Sequence, residues 1–165
     1  ARFMEEGTLS FSYSSSFPNE FTSITASPFS WLEATYRYVE VENQKYGQSF
    51  YSGNQSYKDK GFDFKLRLLE EDYFYPQVAL GLRDIAGTGL FSSEYLVASK
   101  RLGSFDITTG LGWGTLATNG TYSNPFTSFS ERFETRNSMS GYELGGDFNY
   151  KDWFSGKKNF RRKAS

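Results

Sequence analysis

One pattern restricts this chain more than any other: large apolar side chains recur at every second position, segment after segment. In Phe62-Asp63-Phe64-Lys65-Leu66-Arg67-Leu68 the apolar residues fall on one side of an extended strand, and Asp63, Lys65 and Arg67 on the other. On a helix the same charges would be spread around the cylinder. The alternation therefore predicts strands that separate an apolar face from a charged one.

The pattern recurs along the chain. Leu9, Phe11 and Tyr13 oppose Ser10, Ser12 and Ser14; Leu32, Ala34, Tyr36 and Tyr38 oppose Glu33, Thr35 and Arg37. Val78, Leu80 and Leu82 oppose Ala79, Gly81 and Arg83, and Phe105 to Trp113 alternates with Asp106, Thr108, Gly110, Gly112 and Gly114. Tyr142, Leu144 and Phe148 oppose Glu143, Gly145, Asp147 and Asn149. Phe21–Ser27 and Leu90–Lys100 read as strands with a less regular pattern, since Leu96 shares a face with Glu94 and Lys100. The sum is about eight strands of roughly ten residues, the length that a tilted strand needs to cross a bilayer.

The connections alternate in length. Short links fall around Pro28, at Glu70–Pro76 and at Leu102-Gly103, and longer ones at Ser14–Glu20, Glu42–Tyr57, Ile85–Gly89 and Thr115–Met139. Short turns at one rim and long loops at the other are the outer-membrane arrangement, which Ile85–Gly89 follows only in part. Residues 1–150 read as strands and loops, and 151–165 as a basic, aromatic tail or linker.

Composition narrows the chemistry. The 165 residues include no Cys and no His, which removes thiolate nucleophiles, disulfides, His-based triads and nearly all zinc sites. Composition leaves carboxylate chemistry and oxygen-only Ca²⁺ binding open, but no metal site, cofactor or catalytic residue is expected. A net charge of -1 gives no pull toward nucleic acid. Aromatic residues make up 19% of the chain, which suits pleated surfaces. No apolar run approaches the ~20 residues of a membrane helix, although a barrel strand needs no such run. The opening Ala1-Arg2-Phe3 reads as that of a processed or partial product.

Two all-β architectures share such alternation: a soluble sandwich or barrel with its apolar face inward, and a membrane barrel with that face toward lipid. Small residues on the polar face and aromatics at the strand ends favour the second. Trp31, Tyr73, Phe74, Tyr75, Trp113 and Trp153 are the expected membrane-interface aromatics. The expected fold is thus an all-β, antiparallel, up-and-down transmembrane β-barrel or part of one. Its lumen-facing polar residues would be Glu33, Arg37, Asp63, Lys65, Arg67, Arg83, Glu94, Lys100, Asp106, Glu143 and Asp147. They read either as a lumen that guides a polar solute such as a saccharide, or as a closed network of mixed-sign pairs filling a narrow interior. A carboxylate-pair glycosidase is disfavoured, because the acids are scattered over different strands.

The segment SYKDKGFDFKLRLLEEDYFYPQVALGLRDIAGTGLFSSEYLVASKRLGSFDITTGLGWG, Ser56 to Gly114, resembles the YjbH family of exopolysaccharide-associated outer-membrane proteins. GTLSFSYSS and SPFSWLEATYRYVEV resemble the amino-terminal part of the same family. The KGFDFKLRLLEE, PQVALGLRD and GTGLFSSEYLVASK blocks are its most distinctive parts, and none is a metal or nucleophile motif. The resemblance implies an outer-membrane β-barrel of a Gram-negative bacterium, often a lipoprotein, encoded with genes for making or exporting extracellular polysaccharide. It implies a structural or conducting role, with a surface saccharide-binding domain as the alternative. Partners would be outer-membrane lipid, a polysaccharide, and other subunits or further strands, since family members are several times longer than this chain.

Overall fold

The computed structural model describes residues 1–47, 49–87, 89–117, 122–130 and 133. They form one antiparallel meander of seven strands: β1 (Thr8–Ser16), β2 (Asn19–Phe29), β3 (Leu32–Lys45), β4 (Ser56–Leu69), β5 (Gln77–Arg83), β6 (Ser93–Leu102) and β7 (Phe105–Gly114). Each strand pairs with the next, in the order β1-β2-β3-β4-β5-β6-β7, so the sheet is open with β1 and β7 at its edges. The eighth predicted strand, Tyr142 to Phe148, and the tail 151–165 lie outside the described residues.

Several boundaries differ from expectation for local reasons. The link predicted at Ser14–Glu20 is only Phe17-Pro18, because Ser14, Ser15 and Ser16 continue the ladder against Phe21, Glu20 and Asn19. Pro28 sits where the β2–β3 register shifts between Ala26 and Phe29, a place where its missing N–H breaks no regular pair. β3 and β4 run to 14 residues each, which trims the loop predicted at Glu42–Tyr57 at both ends, and the shortened link carries a single helical turn, Ser49–Ser52. The β5–β6 link grows instead, because β6 starts only at Ser93.

The alternation places opposite chemistry on the two faces, and the sheet is inverted relative to a water-soluble one. Leu9, Phe11, Ile24, Tyr36, Phe62, Leu68, Phe105, Ile107 and Leu111 lie exposed on one face, Phe11 at 68%. On the other face Glu33, Arg37 and Asp59 are buried, Arg37 at 4%. The apolar face is banded. Beyond Tyr38 and Phe62, toward the long loops, it turns to charge, where Glu40 pairs with Lys58 at 3.5 Å. Toward the short turns it ends in exposed aromatics: Phe29 stacked on Trp31 at 5.4 Å, and Tyr73, Phe74 and Tyr75 between β4 and β5.

The small hydrophobic core lies on the charged face, at its long-loop end. Val39, Val41, Tyr57 and Leu90 are buried together, with Phe21 and Phe91 packed against them. Phe21 faces inward here, which explains why β2 looked irregular as a sequence.

Candidate functional site

The inner, charged face carries three structures in succession from the short-turn rim to the long-loop rim: a strap, a cavity and a buried ionic cluster.

Residues 1–6 form the strap. The chain enters at the start of β1 and crosses the inner face instead of leaving it. Arg2 reaches Asp106 of β7, with Nε and NH2 donating at 3.0 and 2.8 Å, and also bonds Glu71. Lys65 donates to the Arg2 carbonyl, the Met4 N–H donates to Glu33 at 2.6 Å, and Gln77 donates to the Ala1 carbonyl at 2.8 Å. The Phe3 ring lies beneath Lys65 and Arg67, 4.3 and 4.8 Å from the cationic groups. The strap thus ties β3, β4, β5 and β7 together through donors and acceptors that the strands leave unused. Glu71 is held below the usual carboxylate range by the Arg101 N–H first and by Arg2 second.

Beyond the strap an open cavity of about 270 Å³ is lined by Thr25, Glu33, Thr35, Asp63, Phe64, Lys65, Arg83 and Tyr95. Glu33 and Lys65 pair at 2.9 Å at its strap end. The Thr25 and Thr35 hydroxyls bond each other at 2.8 Å. Tyr95 lies across Gly81, its partner in the ladder, so closely that a Cβ at Gly81 would clash with carbons of the ring. Only glycine at that position lets the ring lie flat against the sheet.

The cluster follows. Arg37, its side chain 5% exposed, stands among three aspartates: Nε is 3.4 Å from Asp63, and the terminal nitrogens are 3.9 Å from Asp59 and from Asp84. Its guanidinium lies 5.1 Å from the centroid of the Phe91 ring. Asp84 closes the group from the β5–β6 link. Its N–H donates to Asp63 at 2.8 Å, its carboxylate accepts the Phe91 N–H at 3.1 Å, and its φ of 53° is left-handed. Burial first, and then the neighbouring Asp59 charge, push the Asp84 carboxyl up to about 6. These groups are joined at Coulomb range more than by short hydrogen bonds, and one guanidinium faces three carboxyl groups in a place largely closed to water.

The expected polar-face residues divide accordingly. Glu33, Arg37, Asp63, Lys65, Arg67, Arg83 and Asp106 share the inner face through the register of β3 to β7. Glu94 and Lys100 do not: Glu94 is in register with Leu82 and Trp113, and Lys100 with Ile107, so both stand on the apolar face with Leu96. They sit at its margins, where polar groups meet them. Lys100 donates to the carbonyls of Asp72, Tyr73 and Tyr75, and Glu94 accepts from Asn124 at 2.9 Å. Trp113, on the same face, is covered, and Phe126 packs edge-on against it at 6.1 Å. Glu143, Asp147 and Trp153 lie outside the described residues. Sequence reasoning missed Asp59, Asp84, Tyr95 and the strap. Asp59 was within reach, lying in phase with Asp63 on β4, whereas Asp84 falls in a link where periodicity says nothing.

The family comparison settles membership. The YjbH family model, described as exopolysaccharide biosynthesis protein YbjH, matches residues 1–161. The chain belongs to the YjbH family. A curated relative, "Uncharacterized lipoprotein YjbH" of Escherichia coli (strain K12), is 47% identical over 157 residues, covering 94% of this chain and 22% of its own length. The chain therefore spans about a fifth of that relative. No solved structure matches. Membership of this exopolysaccharide biosynthesis family bears out the resemblance carried by the KGFDFKLRLLEE, PQVALGLRD and GTGLFSSEYLVASK blocks.

Proposed function

We propose that this chain is a membrane-embedded section of an outer-membrane β-barrel serving exopolysaccharide biosynthesis or export, in a structural or conducting role and without catalysis of its own. The observation that carries the reading is the inverted sheet: Phe11, Leu111 and Phe105 exposed, Arg37 and Asp59 buried. A continuous exposed apolar face of this size is costly in water and favourable in lipid. Its band ends in aromatics on the short-turn side and in Glu40, Lys58 and Lys60 on the other, as an interface-bounded hydrocarbon zone requires. The open edges of β1 and β7 need partners in lipid, so further strands would complete the wall. A family lipoprotein of much greater length fits such an assembly.

The test is to express the protein with an outer-membrane signal and compare its gel migration before and after boiling. A β-rich species that needs detergent and migrates differently once boiled supports the barrel. A monomer that stays folded without detergent refutes it. The alternative, a surface domain that binds saccharide without transport, draws on the exposed Phe50 and Tyr51, set edge to face at 5.2 Å at the long-loop rim. Under that reading, replacing both rings by Ala abolishes polysaccharide retention on cells, whereas a buried wall section is indifferent to it.

A further inference from the structure

We infer that the inner-face cavity between the strap and the Arg37 cluster is a binding subsite for one uncharged, hydroxyl-bearing sugar ring, an inference that rests on the exopolysaccharide reading above. The first argument is charge. The cavity wall holds two acids, Glu33 and Asp63, and two bases, Lys65 and Arg83, so an anionic ligand gains little net attraction. The second is which groups are already engaged. Both Glu33 oxygens are occupied, one by the Met4 N–H at 2.6 Å and one by Lys65 at 2.9 Å. Lys65 also serves the Arg2 carbonyl. Asp63 is held between the Asp84 N–H at 2.8 Å and Arg37 at 3.4 Å.

Arg83 is different. Its only ion pair among the described residues is a loose one, 3.9 Å from Asp63, and about a third of its side chain is open. A planar fork of N–H donors therefore faces the cavity largely unspent. Tyr95 supplies the complement: a ring laid over Gly81, fixed in orientation, and one of the residues that line the cavity. The Thr25 and Thr35 hydroxyls keep acceptor capacity beyond the bond that they share. A flat apolar ring beside directed donors and acceptors is what a pyranose presents in mirror image: C–H groups on its faces and hydroxyls around its edge. At about 270 Å³ the cavity is at the small end of ligand pockets, which suits a single ring of a polymer better than a long segment.

The experiment measures calorimetric binding of malto-, cello- and galacto-oligosaccharides, with oligogalacturonate as the anionic probe, to the full-length protein that contains this chain, in detergent. Saturable binding of at least one neutral oligosaccharide is expected, with oligogalacturonate inert at the same concentration. Arg83→Gln should weaken it by about tenfold or more, as loss of a charge-assisted hydrogen bond implies. Tyr95→Ala should do the same, and Tyr95→Phe, which keeps the ring, should fall between. Each variant is first checked for heat-modifiable migration, so that a folding defect is not mistaken for lost contacts. Three results overturn the inference: no neutral probe binds, oligogalacturonate binds in preference, or binding survives Arg83→Gln and Tyr95→Ala unchanged. A full-length wild-type protein that migrates as a folded barrel yet binds nothing sinks this site and leaves the barrel standing.

Discussion

Replacing Asp84 by Asn should stabilise the protein at neutral pH and leave it unchanged in acid. Asp84 lies in the β5–β6 link, fully enclosed beside Asp59 and Asp63, with Arg37 as the cation they share. Its pKa in the folded protein is about 6, against an ordinary 3.8. A carboxyl with a raised folded-state pKa holds its proton more tightly in the native state than in the unfolded one. Its contribution is therefore most favourable below 3.8 and is lost as pH rises from there through about 6. The gap of roughly two units corresponds to about 3 kcal/mol, which is an upper bound for this one group. Asn stays neutral throughout, tolerates the left-handed φ of 53°, and can still accept the Phe91 N–H. The assay is urea unfolding of wild type and variant in detergent, followed by tryptophan fluorescence at several values from about pH 4 to about pH 7.5. Only the difference between the two proteins matters, because the other acids titrate in both. It should be near zero at the acid end and approach about 3 kcal/mol in favour of the Asp84→Asn variant at the other. A difference that does not change with pH, or an Asn variant weaker at neutral pH, would refute the account of the cluster.

The remaining predictions concern other links in the same argument. Arg37→Met leaves buried aspartates without their shared cation and should cost about 3–5 kcal/mol in the same unfolding assay, with partial recovery when Asp59→Asn is added. Gly81→Val drives side-chain atoms into the Tyr95 ring and should cost about 1–3 kcal/mol, a penalty that largely disappears in a Tyr95→Ala background. Leu66→Arg puts a charge in the middle of the apolar face and should cost about 2–4 kcal/mol if that face meets lipid, read as a lower yield of the heat-modifiable form in vesicles. If the yield is unchanged, the face does not lie against hydrocarbon.

Much of the fold was legible in the residues because a strand writes its two faces locally. Phe62 to Leu68 states which side chains oppose which without reference to any other part of the chain, and five of the seven described strands follow from runs of that kind, β2 and β6 being less regular. The same rule applied strictly would have placed Glu94 and Lys100 with Leu96, where the register puts them. Grouping them with the other charges gave residue type priority over phase. What alternation does not contain is distance across the sheet. That Arg2 meets Asp106, that Asp84 leaves its link to share Arg37 with Asp59, and that Tyr95 lies on Gly81 depend on which strands adjoin and in what register. Nor does it reveal that residues 1–6 turn back across the inner face. The sequence alone determined that one face would be apolar and the other charged. Only the tertiary structure decided that the charged face is the buried one, because burial depends on which strands adjoin and on what is laid across them.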